Sequence, residues 1–453
     1  MKKTLKKIGK IIGGFFIGLF SFLALLCIIT LIWGGVQMSR GQVYNTLPET
    51  PADFVPEVRF VVYTDTHNAN DRVADALETS YKLFENDKVY KGVDAIIGLG
   101  DFTSIGGEDD FKNFVDTLKQ YEREGTKLIN ILGNHEMKNK DACDLFRKYF
   151  GYEPNTVTEI NGFSFIALSG SHHITEWTYP VKDLKWAASE LDKAEEKADA
   201  RPVFVFQHPH NFGTVYGSAI WCTPQTNVVF AGHSKVVDFS GHSHFPMNDP
   251  RSINQSTYTS VGVGGMARFE LDKNYIIGQH PDGYDTAAQI CICEADSNGR
   301  VRIREYDLNS DTFFNDYFIE NVNDPDSFAY TYKNLKAHDS KPVFVPDTKA
   351  AAAKNENGEW VLSFNEAHSN PSGAEPGNFI VHHYNITITD ENGKKVFKDT
   401  FVDDYFVIDD DDTADFRIGG DTLVKGKKYT ASITAVSAYH LKSDEIKLEF
   451  TAE

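Results

Sequence analysis

From Val58 onward, apolar segments of strand length alternate with amphipathic segments, and this alternation limits the possible folds more than any other feature of the chain. The apolar segments span 58–63, 93–99, 127–132, 163–168, 202–206 and 236–239. Apolar residues recur every three or four positions over 69–84, 109–123, 141–149 and 181–197, which predicts helices. We therefore expect βα units around a buried sheet. Strand-like segments at 258–263, 287–295 and 300–306 then predict a second sheet in the same domain.

Polar residues with metal-binding or catalytic chemistry follow five of these predicted strands, each at the point where the strand ends. They are Asp65 and His67, Asp101, Asn134 and His135, His208, and His242 and His244. The carboxyl ends of strands in an open α/β sheet form the ligand crevice, so these side chains should converge. A single histidine would as readily be a surface or core residue, but five coincidences in chain order argue for a site.

The donor set indicates which cations the site prefers. Without His135, whose role is given below, these residues supply seven nitrogen or oxygen donors. Seven donors are more than one tetrahedral ion needs and suit two adjacent divalent ions that share a ligand. Imidazole, carboxylate and amide without thiolate favour Mn, Fe, Zn, Co or Ni over Cu(I), and the histidine content disfavours Ca and Mg. We expect two divalent transition-metal ions, with Mn, Fe or Zn as the candidates.

The five motifs together resemble those of the calcineurin-like metallophosphoesterase superfamily. In order they are Asp65-x-His67, Gly100-Asp101, Gly133-Asn134-His135-Glu136, His208 and Gly241-His242-x-His244. The resemblance covers about 58–330 and implies an α+β chain with an αββα sandwich as its catalytic domain. It also implies a phosphatase or phosphodiesterase, in which a hydroxide that bridges two metal ions attacks a phosphomonoester or phosphodiester.

The resemblance implies a role for each matched residue. One ion would be held by Asp65, His67 and His244, the other by Asn134, His208 and His242, and Asp101 would bridge the two. His135 would be the catalytic, unligated imidazole that stabilises or protonates the phosphoryl group and the leaving oxygen, oriented by a carboxylate. Phe102 follows Asp101 and no tyrosine lies in that turn, so the chain departs from the purple acid phosphatase branch and its tyrosinate–iron site.

Two residues near the motifs are candidates for substrate binding. His210 lies two positions after His208 and would contact either a ligand or the substrate. Arg251 would bind phosphate or, equally, form a loop salt bridge. His233, in a segment that mimics the last motif, is interpreted as a loop or helix-end residue.

The N-terminal region predicts a membrane anchor. Residues 11–33 carry no charge, and as a helix they would span about 35 Å, more than a hydrocarbon core of about 30 Å. Five lysines precede them, so the positive-inside rule places the N-terminus in the cytoplasm. We expect a cytoplasmic end and transmembrane helix over 1–34, a linker over 35–56, and a single-pass cell-membrane protein with an extracytoplasmic catalytic domain over 57–340. A cleaved signal peptide, which would release a secreted protein, is the alternative, although its apolar region is shorter, at about 7–15 residues.

Residues 341–453 predict a β-sandwich. Short alternating segments at 359–364, 384–389, 395–401, 405–408, 428–436 and 445–450 are typical of strands, and Asn392-Gly393 predicts a hairpin turn. The region resembles fibronectin type III modules, in which Tyr429 would form the tyrosine corner. Such a module would be a spacer or would bind a protein or cell-wall ligand. The acidic run at 409–412 is interpreted as a solvated loop, with calcium binding as the minor alternative.

Charge and aromatic content bear on the substrate. The net charge is −20, and because the first ten residues carry five lysines and no acid, the rest carries −25. That charge repels nucleic-acid backbones, so we expect no nucleic-acid partner. Aromatic residues suited to stacking on a base or sugar follow the motifs, namely Trp177, Tyr179, Phe212, Tyr216, Trp221 and Phe245. We predict a small phosphate ester such as a nucleotide; the alternative function is a surface binding or adhesion protein whose phosphoesterase scaffold is catalytically silent.

Overall fold

The computed structural model describes Val36 and residues 39–453, apart from 171–177, 274–275, 370–379 and 409–411. The predicted anchor at 11–33 and Trp177 lie outside the described residues, as does most of the acidic run. Within the described part of the chain, no helix is both long and apolar enough to cross a membrane.

The described residues of the first part of the chain form twelve main strands and six helices. The strands are β1 (Val58–Tyr63), β2 (Ala95–Gly98), β3 (Lys127–Asn130), β4 (Thr156–Ile160), β5 (Phe163–Leu168), β6 (Val203–Gln207), β7 (Val236–Ser240), β8 (Ile253–Gln255), β9 (Thr259–Gly262), β10 (Gln289–Ala295), β11 (Val301–Asp307) and β12 (Thr312–Ile319). The helices are α1 (Asn70–Phe84), α2 (Glu108–Tyr121), α3 (Ala142–Phe150), α4 (Val181–Ala198), α5 (Gln225–Phe230) and α6 (Tyr332–His338). Short paired strands lie at His210–Asn211 with Cys222–Thr223, Leu271–Lys273 with Ile276–Gln279, and Val343–Phe344 with Ala367–His368.

The main strands form two six-stranded sheets that pack face to face. The orders are β12-β11-β10-β1-β2-β3 in the first sheet and β8-β9-β7-β6-β5-β4 in the second. Between them, the Phe60 ring of β1 lies 4.7 Å from the Phe204 ring and 5.0 Å from the Phe165 ring of the second sheet, centroid to centroid. The apolar inner faces of both sheets thus share one core.

Helices cover both outer faces. Leu77 of α1, Phe111 of α2 and Phe146 of α3 pack on the first sheet, because each helix presents its apolar face to it. Leu191 of α4 and Phe230 of α5 pack on the second sheet in the same way. The layer order is therefore αββα, as the resemblance implies.

The late strands do not form a sheet of their own, and that prediction is wrong. β10 pairs antiparallel with β1, with Val58 opposite Ala295, so β10, β11 and β12 extend the first sheet. β9 pairs parallel with β7 and belongs to the second sheet. Each sheet thus joins a parallel core to antiparallel edge strands, which open mixed sheets commonly do.

The C-terminal region is a β-sandwich, in which the described residues form seven main strands. They are β13 (Ala350–Lys354), β14 (Trp360–Asn365), β15 (Val381–Asp390), β16 (Lys395–Val402), β17 (Thr413–Ile418), β18 (Lys428–Ser437) and β19 (Ile446–Thr451). The sheet orders are β13-β14-β17 and β16-β15-β18-β19. Gly393 turns the β15–β16 hairpin at φ 76°, and the Tyr429 hydroxyl accepts the Val424 N–H at 2.8 Å, which is a tyrosine-corner contact.

The predicted strand at 405–408 is absent from the described sandwich. Phe406 is buried there against Phe269 of the αββα part, with ring centroids 5.0 Å apart. The apolar character of this segment reflects contact between the two parts of the chain. The strand β17, in contrast, was not predicted.

Candidate metal centre

The predicted ligands come together where parallel strands of both sheets end. Asp65 and His67 follow β1, Asp101 follows β2, Asn134 follows β3, His208 follows β6, and His242 and His244 follow β7. Strands β1, β2 and β3 pair in parallel, as do β6 and β7, so their carboxyl ends point the same way within each sheet. Face-to-face packing of the sheets then brings the two sets of loops to one edge.

The backbone at this edge adopts conformations that residues with side chains rarely use. Asp65, His67, Asp101, His242 and His244 have φ angles of 55°, 42°, 49°, 71° and 57°. Left-handed backbone costs about 1–3 kcal/mol per residue and persists where the surroundings enforce it, which is common at functional sites. A glycine at position 133 permits close approach of the loops, because a Cβ there would lie 2.2 Å from Asp101 Oδ1.

One group of potential ligands comprises Asp65, His67 and His244, whose ligand atoms all lie within 4.8 Å of one another. The Nε2 atoms of His67 and His244 are 3.0 Å apart, and His244 Nε2 lies 3.2 Å from Asp65 Oδ1. All three side chains are at least nine-tenths buried. This is the set that the resemblance to metallophosphoesterases implies for one ion.

A second group comprises Asp101, His208 and His242. His208 Nε2 lies 3.2 Å from Asp101 Oδ2 and 3.0 Å from Asn134 Oδ1. Asp101 also belongs to a group with His67 and His135, so its carboxylate lies between the two histidine clusters. That position suits a ligand shared by two cations.

Backbone carbonyls orient two of the imidazoles toward the cluster. His208 Nδ1 donates to the Leu99 carbonyl at 2.7 Å, and His244 Nδ1 donates to the Arg268 carbonyl at 3.1 Å. In the neutral ring, the lone pair of Nε2 is then available to a cation that the carboxylates would share. Metal-binding histidines are held in this way, so the residues present fit a pair of divalent ions.

Charge balance within the cluster supports the same conclusion. Burial, followed by the charge of His244, lowers the pKa of His67 to about 3, and burial also places the pKa of His242 well below its ordinary value. Both imidazoles are therefore neutral and able to bind a metal. Burial opposes protonation of His208 too, but the Asp101 carboxylate outweighs it and raises the pKa of His208 to about 9. A proton on His208 thus occupies the place of a cation.

Glu136 organises the loops around this cluster, a role that the sequence did not reveal. Its Oε2 accepts the backbone N–H groups of Asp101 and Gly133 at 2.9 and 2.8 Å. Its Oε1 accepts the N–H and the hydroxyl of Thr103 at 2.7 and 2.8 Å. The side chain is fully buried, so one carboxylate connects the loops after β2 and β3.

His135 lies beside the shared carboxylate. Its Nε2 is 3.9 Å from Asp101 Oδ2, and its Nδ1 donates to the Ser104 carbonyl at 2.6 Å. The His135 ring is therefore oriented by the Ser104 backbone carbonyl, where the sequence had predicted a carboxylate. Exposed Lys138 places Nζ 3.1 Å from each ring nitrogen of His135.

The two candidate substrate contacts, His210 and Arg251, both bind other side chains of the protein. His210 is fully buried, with Nδ1 and Nε2 each 2.8 Å from the hydroxyls of Ser240 and Ser243, so it supports the loop between the last two ligands. Arg251 donates through Nε and Nη2 to buried Asp249 and lies over the Tyr216 ring, 3.7 Å from its centroid. The structure thus contains the loop salt bridge of Arg251, and phosphate binding by this residue stays a prediction.

The aromatic residues predicted to stack on the substrate differ in where they lie. Tyr179 and Phe245 are buried in the core, and Tyr216 donates to Asp272 beside the sandwich. Trp221 is half-buried with its ring 5.2 Å from the His242 ring. Arg268, half-buried and paired with Glu270, adds a positive charge near the first histidine cluster that the sequence did not indicate.

Solved structures match parts of this chain at low sequence identity. The purple acid phosphatase from yellow lupin (Lupinus luteus) seeds matches with 13% identity and a TM-score of 0.40, over 58% of this chain and 54% of that one, so this chain spans about half of its length. A conserved uncharacterised protein of Streptococcus pneumoniae, a predicted phosphoesterase, matches with 13% identity and a TM-score of 0.28, over 58% of this chain and 98% of that one. A fibronectin type III-like protein of Clostridium thermocellum matches with 13% identity and a TM-score of 0.15, over 25% of this chain and 94% of that one.

No family model and no curated protein matches the sequence. Because these identities and TM-scores are low, the function proposed below rests on the residues of the candidate metal centre.

Proposed function

We propose that the protein is a metal-dependent phosphoric ester hydrolase that uses two divalent transition-metal ions, Mn, Fe or Zn. The observation that carries this proposal is the position of Asp101, whose carboxylate groups with His67 on one side and with His208 and His242 on the other. A shared carboxylate allows two cations to occupy one site. Such ions supply Lewis acidity toward phosphoryl oxygens and lower the pKa of water.

His135 is the side chain that we assign to proton transfer. Because Nδ1 is held by the Ser104 carbonyl, Nε2 is the atom available to a phosphoryl oxygen or a leaving group. The imidazole lies beside Asp101 and would donate once a phosphate ester is bound. The ammonium of Lys138 would attract that anion toward an otherwise acidic protein.

The proposed substrate is a small phosphomonoester or phosphodiester such as a nucleotide. Trp221 supports this choice, because its half-buried ring lies against the His242 ring and offers a stacking surface next to the proposed second ion. A panel of nucleotides, a glycerophosphodiester, a phosphopeptide and a teichoic-type polymer should show the highest kcat/KM for a nucleotide. Preference for the polymer or the phosphopeptide would refute the substrate class and leave the two-metal chemistry intact.

The hydrolase assignment is tested with the full-length chain in a mild detergent. We expect about two transition-metal ions per chain by elemental analysis, and hydrolysis of p-nitrophenyl phosphate or its bis ester. Asp101→Asn should lose metal and rate together, whereas Asp109→Asn, at an exposed position in α2, should change neither. Wild-type protein that binds no transition metal and cleaves neither ester would refute the proposal. A full metal complement without hydrolysis would favour the silent-scaffold alternative.

We also propose that residues 11–33 anchor the protein in the cell membrane with its catalytic part outside the cytoplasm. The uncharged length of this run and the five lysines before it support the proposal. Cell fractionation should place the intact chain in the membrane fraction. Recovery from the medium with an N-terminus beyond residue 33 would show instead that the run is removed.

A further inference from the structure

Three carboxylates meet in the C-terminal sandwich, separate from the residues of the metal centre. Glu366 follows β14, and Asp403 and Asp404 follow β16. One oxygen of each carboxylate lies within 4.8 Å of an oxygen of each of the others. Carboxylates this close repel one another unless a proton or a cation lies between them.

Asp403 is the member that distinguishes this cluster from a group of solvated acids. Its side chain is buried, with the residue 4% exposed, and its Oδ1 accepts no hydrogen bond from any described residue. Its backbone N–H donates to the His382 carbonyl at 3.1 Å, which fixes the residue at the end of β16. Burying a carboxylate oxygen without a partner is costly, so the arrangement calls for a ligand.

Electrostatics point the same way. Burial raises the pKa of Asp403 well above its ordinary value, and the charges of Glu366 and Asp404 raise it further. A divalent cation would remove this repulsion and supply the missing partner of Oδ1. Asp404 is exposed and Glu366 is half-exposed, so an ion and its water ligands can reach the cluster from solvent.

We propose that Glu366, Asp403 and Asp404 bind one calcium ion. All the side-chain donors are oxygens, and Ca²⁺ takes six to eight oxygen ligands in flexible geometry, which water and backbone carbonyls can complete. The histidine-rich metal centre has the opposite preference, for transition metals. The chain would thus carry two metal sites that select different ions.

The location of this site gives the ion a structural effect. Asp403 and Asp404 begin the segment 403–408, in which the Asp404 carbonyl accepts the Val407 N–H at 2.7 Å. Phe406 of that segment packs on Phe269, and Phe269 follows Arg268, whose carbonyl orients His244. Calcium would hold this segment in place and stabilise the packing of the sandwich on the catalytic part.

The test is calorimetric titration of Ca²⁺ into the full-length chain in detergent, with the metal centre first saturated with Mn²⁺. We expect one calcium ion per chain and a higher Tm with calcium. Asp403→Asn should weaken binding at least tenfold and abolish the calcium-induced rise in Tm. It should also raise the Tm in chelator, because it removes a buried charge. Asp421→Asn, at an exposed position in the same sandwich, is the matched control and should behave as wild type.

Asp404→Asn provides a second variant, because its exposed side chain can change without disturbing the core. It should also weaken calcium binding, and it decides the question if Asp403→Asn does not fold. Wild-type protein that binds no calcium beyond the metal centre would overturn the proposal. Calcium binding by both variants as tight as that of Asp421→Asn would overturn it too, and equal affinity for Mg²⁺ would overturn the assignment to calcium.

Discussion

Glu136→Gln tests whether one buried carboxylate holds the ligand loops in place. The carboxylate accepts four hydrogen bonds, two at each oxygen. Glutamine keeps one acceptor oxygen and turns an amide NH₂ toward the donors at the other position. The Thr103 hydroxyl can rotate to accept from that NH₂, whereas a backbone N–H cannot, so one or two of the four bonds are lost. Each buried hydrogen bond left unmade costs about 1–3 kcal/mol. We therefore expect the free energy of unfolding to fall by about 1–6 kcal/mol.

The assay is guanidinium unfolding of the metal-free chain, followed by tryptophan fluorescence, with metal content measured in parallel. The variant should also bind less metal, because the Asp101 and Gly133 amides that Glu136 holds define the loops that carry Asp101 and Asn134. Glu78→Gln, exposed on α1, is the control and should leave both quantities unchanged. If Glu136→Gln unfolds at the same denaturant concentration as the control and keeps its metal, the role assigned to the carboxylate is wrong.

Three further variants probe other parts of the chain. His135→Ala should keep its metal while kcat falls by about 10²–10⁴-fold, the usual contribution of a general acid, and loss of the ions in elemental analysis would contradict that role. Burial raises the pKa of Glu305 from 4.5 to about 8, so its contribution to stability is complete below pH 4.5 and is lost as pH rises through 8. Glu305→Gln should flatten the dependence of unfolding free energy on pH, and an unchanged slope would contradict the shift. Arg251→Met should lower the free energy of unfolding by about 3–5 kcal/mol, because it leaves Asp249 buried without its ionic partner, and KM should not change. A raised KM with unchanged stability would show instead that Arg251 binds the phosphate of the substrate.

The sequence predicted the early strands and helices well, because their patterns are local. The segment 58–63 is apolar throughout and is β1, and the periodicity of 181–197 matches α4 within one residue. Sheet membership could not be predicted, since β10 pairs with β1 across more than 200 residues of chain. The apolar segment 405–408 was misread as a strand because burial between two parts of a protein gives the same pattern as burial in a sheet.

The sequence predicted those site residues that directly follow a strand, because the end of a strand determines where they lie. Asp65 and His242 both follow strands, and both lie in the cluster. The functions of Glu136 and the Ser104 carbonyl depend on contacts between loops that are separate in the sequence. Arg251 has the right chemistry for phosphate, and only the position of Asp249 shows that its charge is already matched.

The potential ligands come from both sheets, and this has a mechanical consequence. In the first group, Asp65 follows a strand of one sheet and His244 follows a strand of the other, and in the second group the same is true of Asp101 and His208. A cation bound to either group would therefore link the two six-stranded sheets at the edge where the ligand loops lie. The ions proposed for hydrolysis would then also stabilise the packing of the two sheets against each other. Metal supply in the surroundings would govern how long the folded protein survives as well as how fast it works.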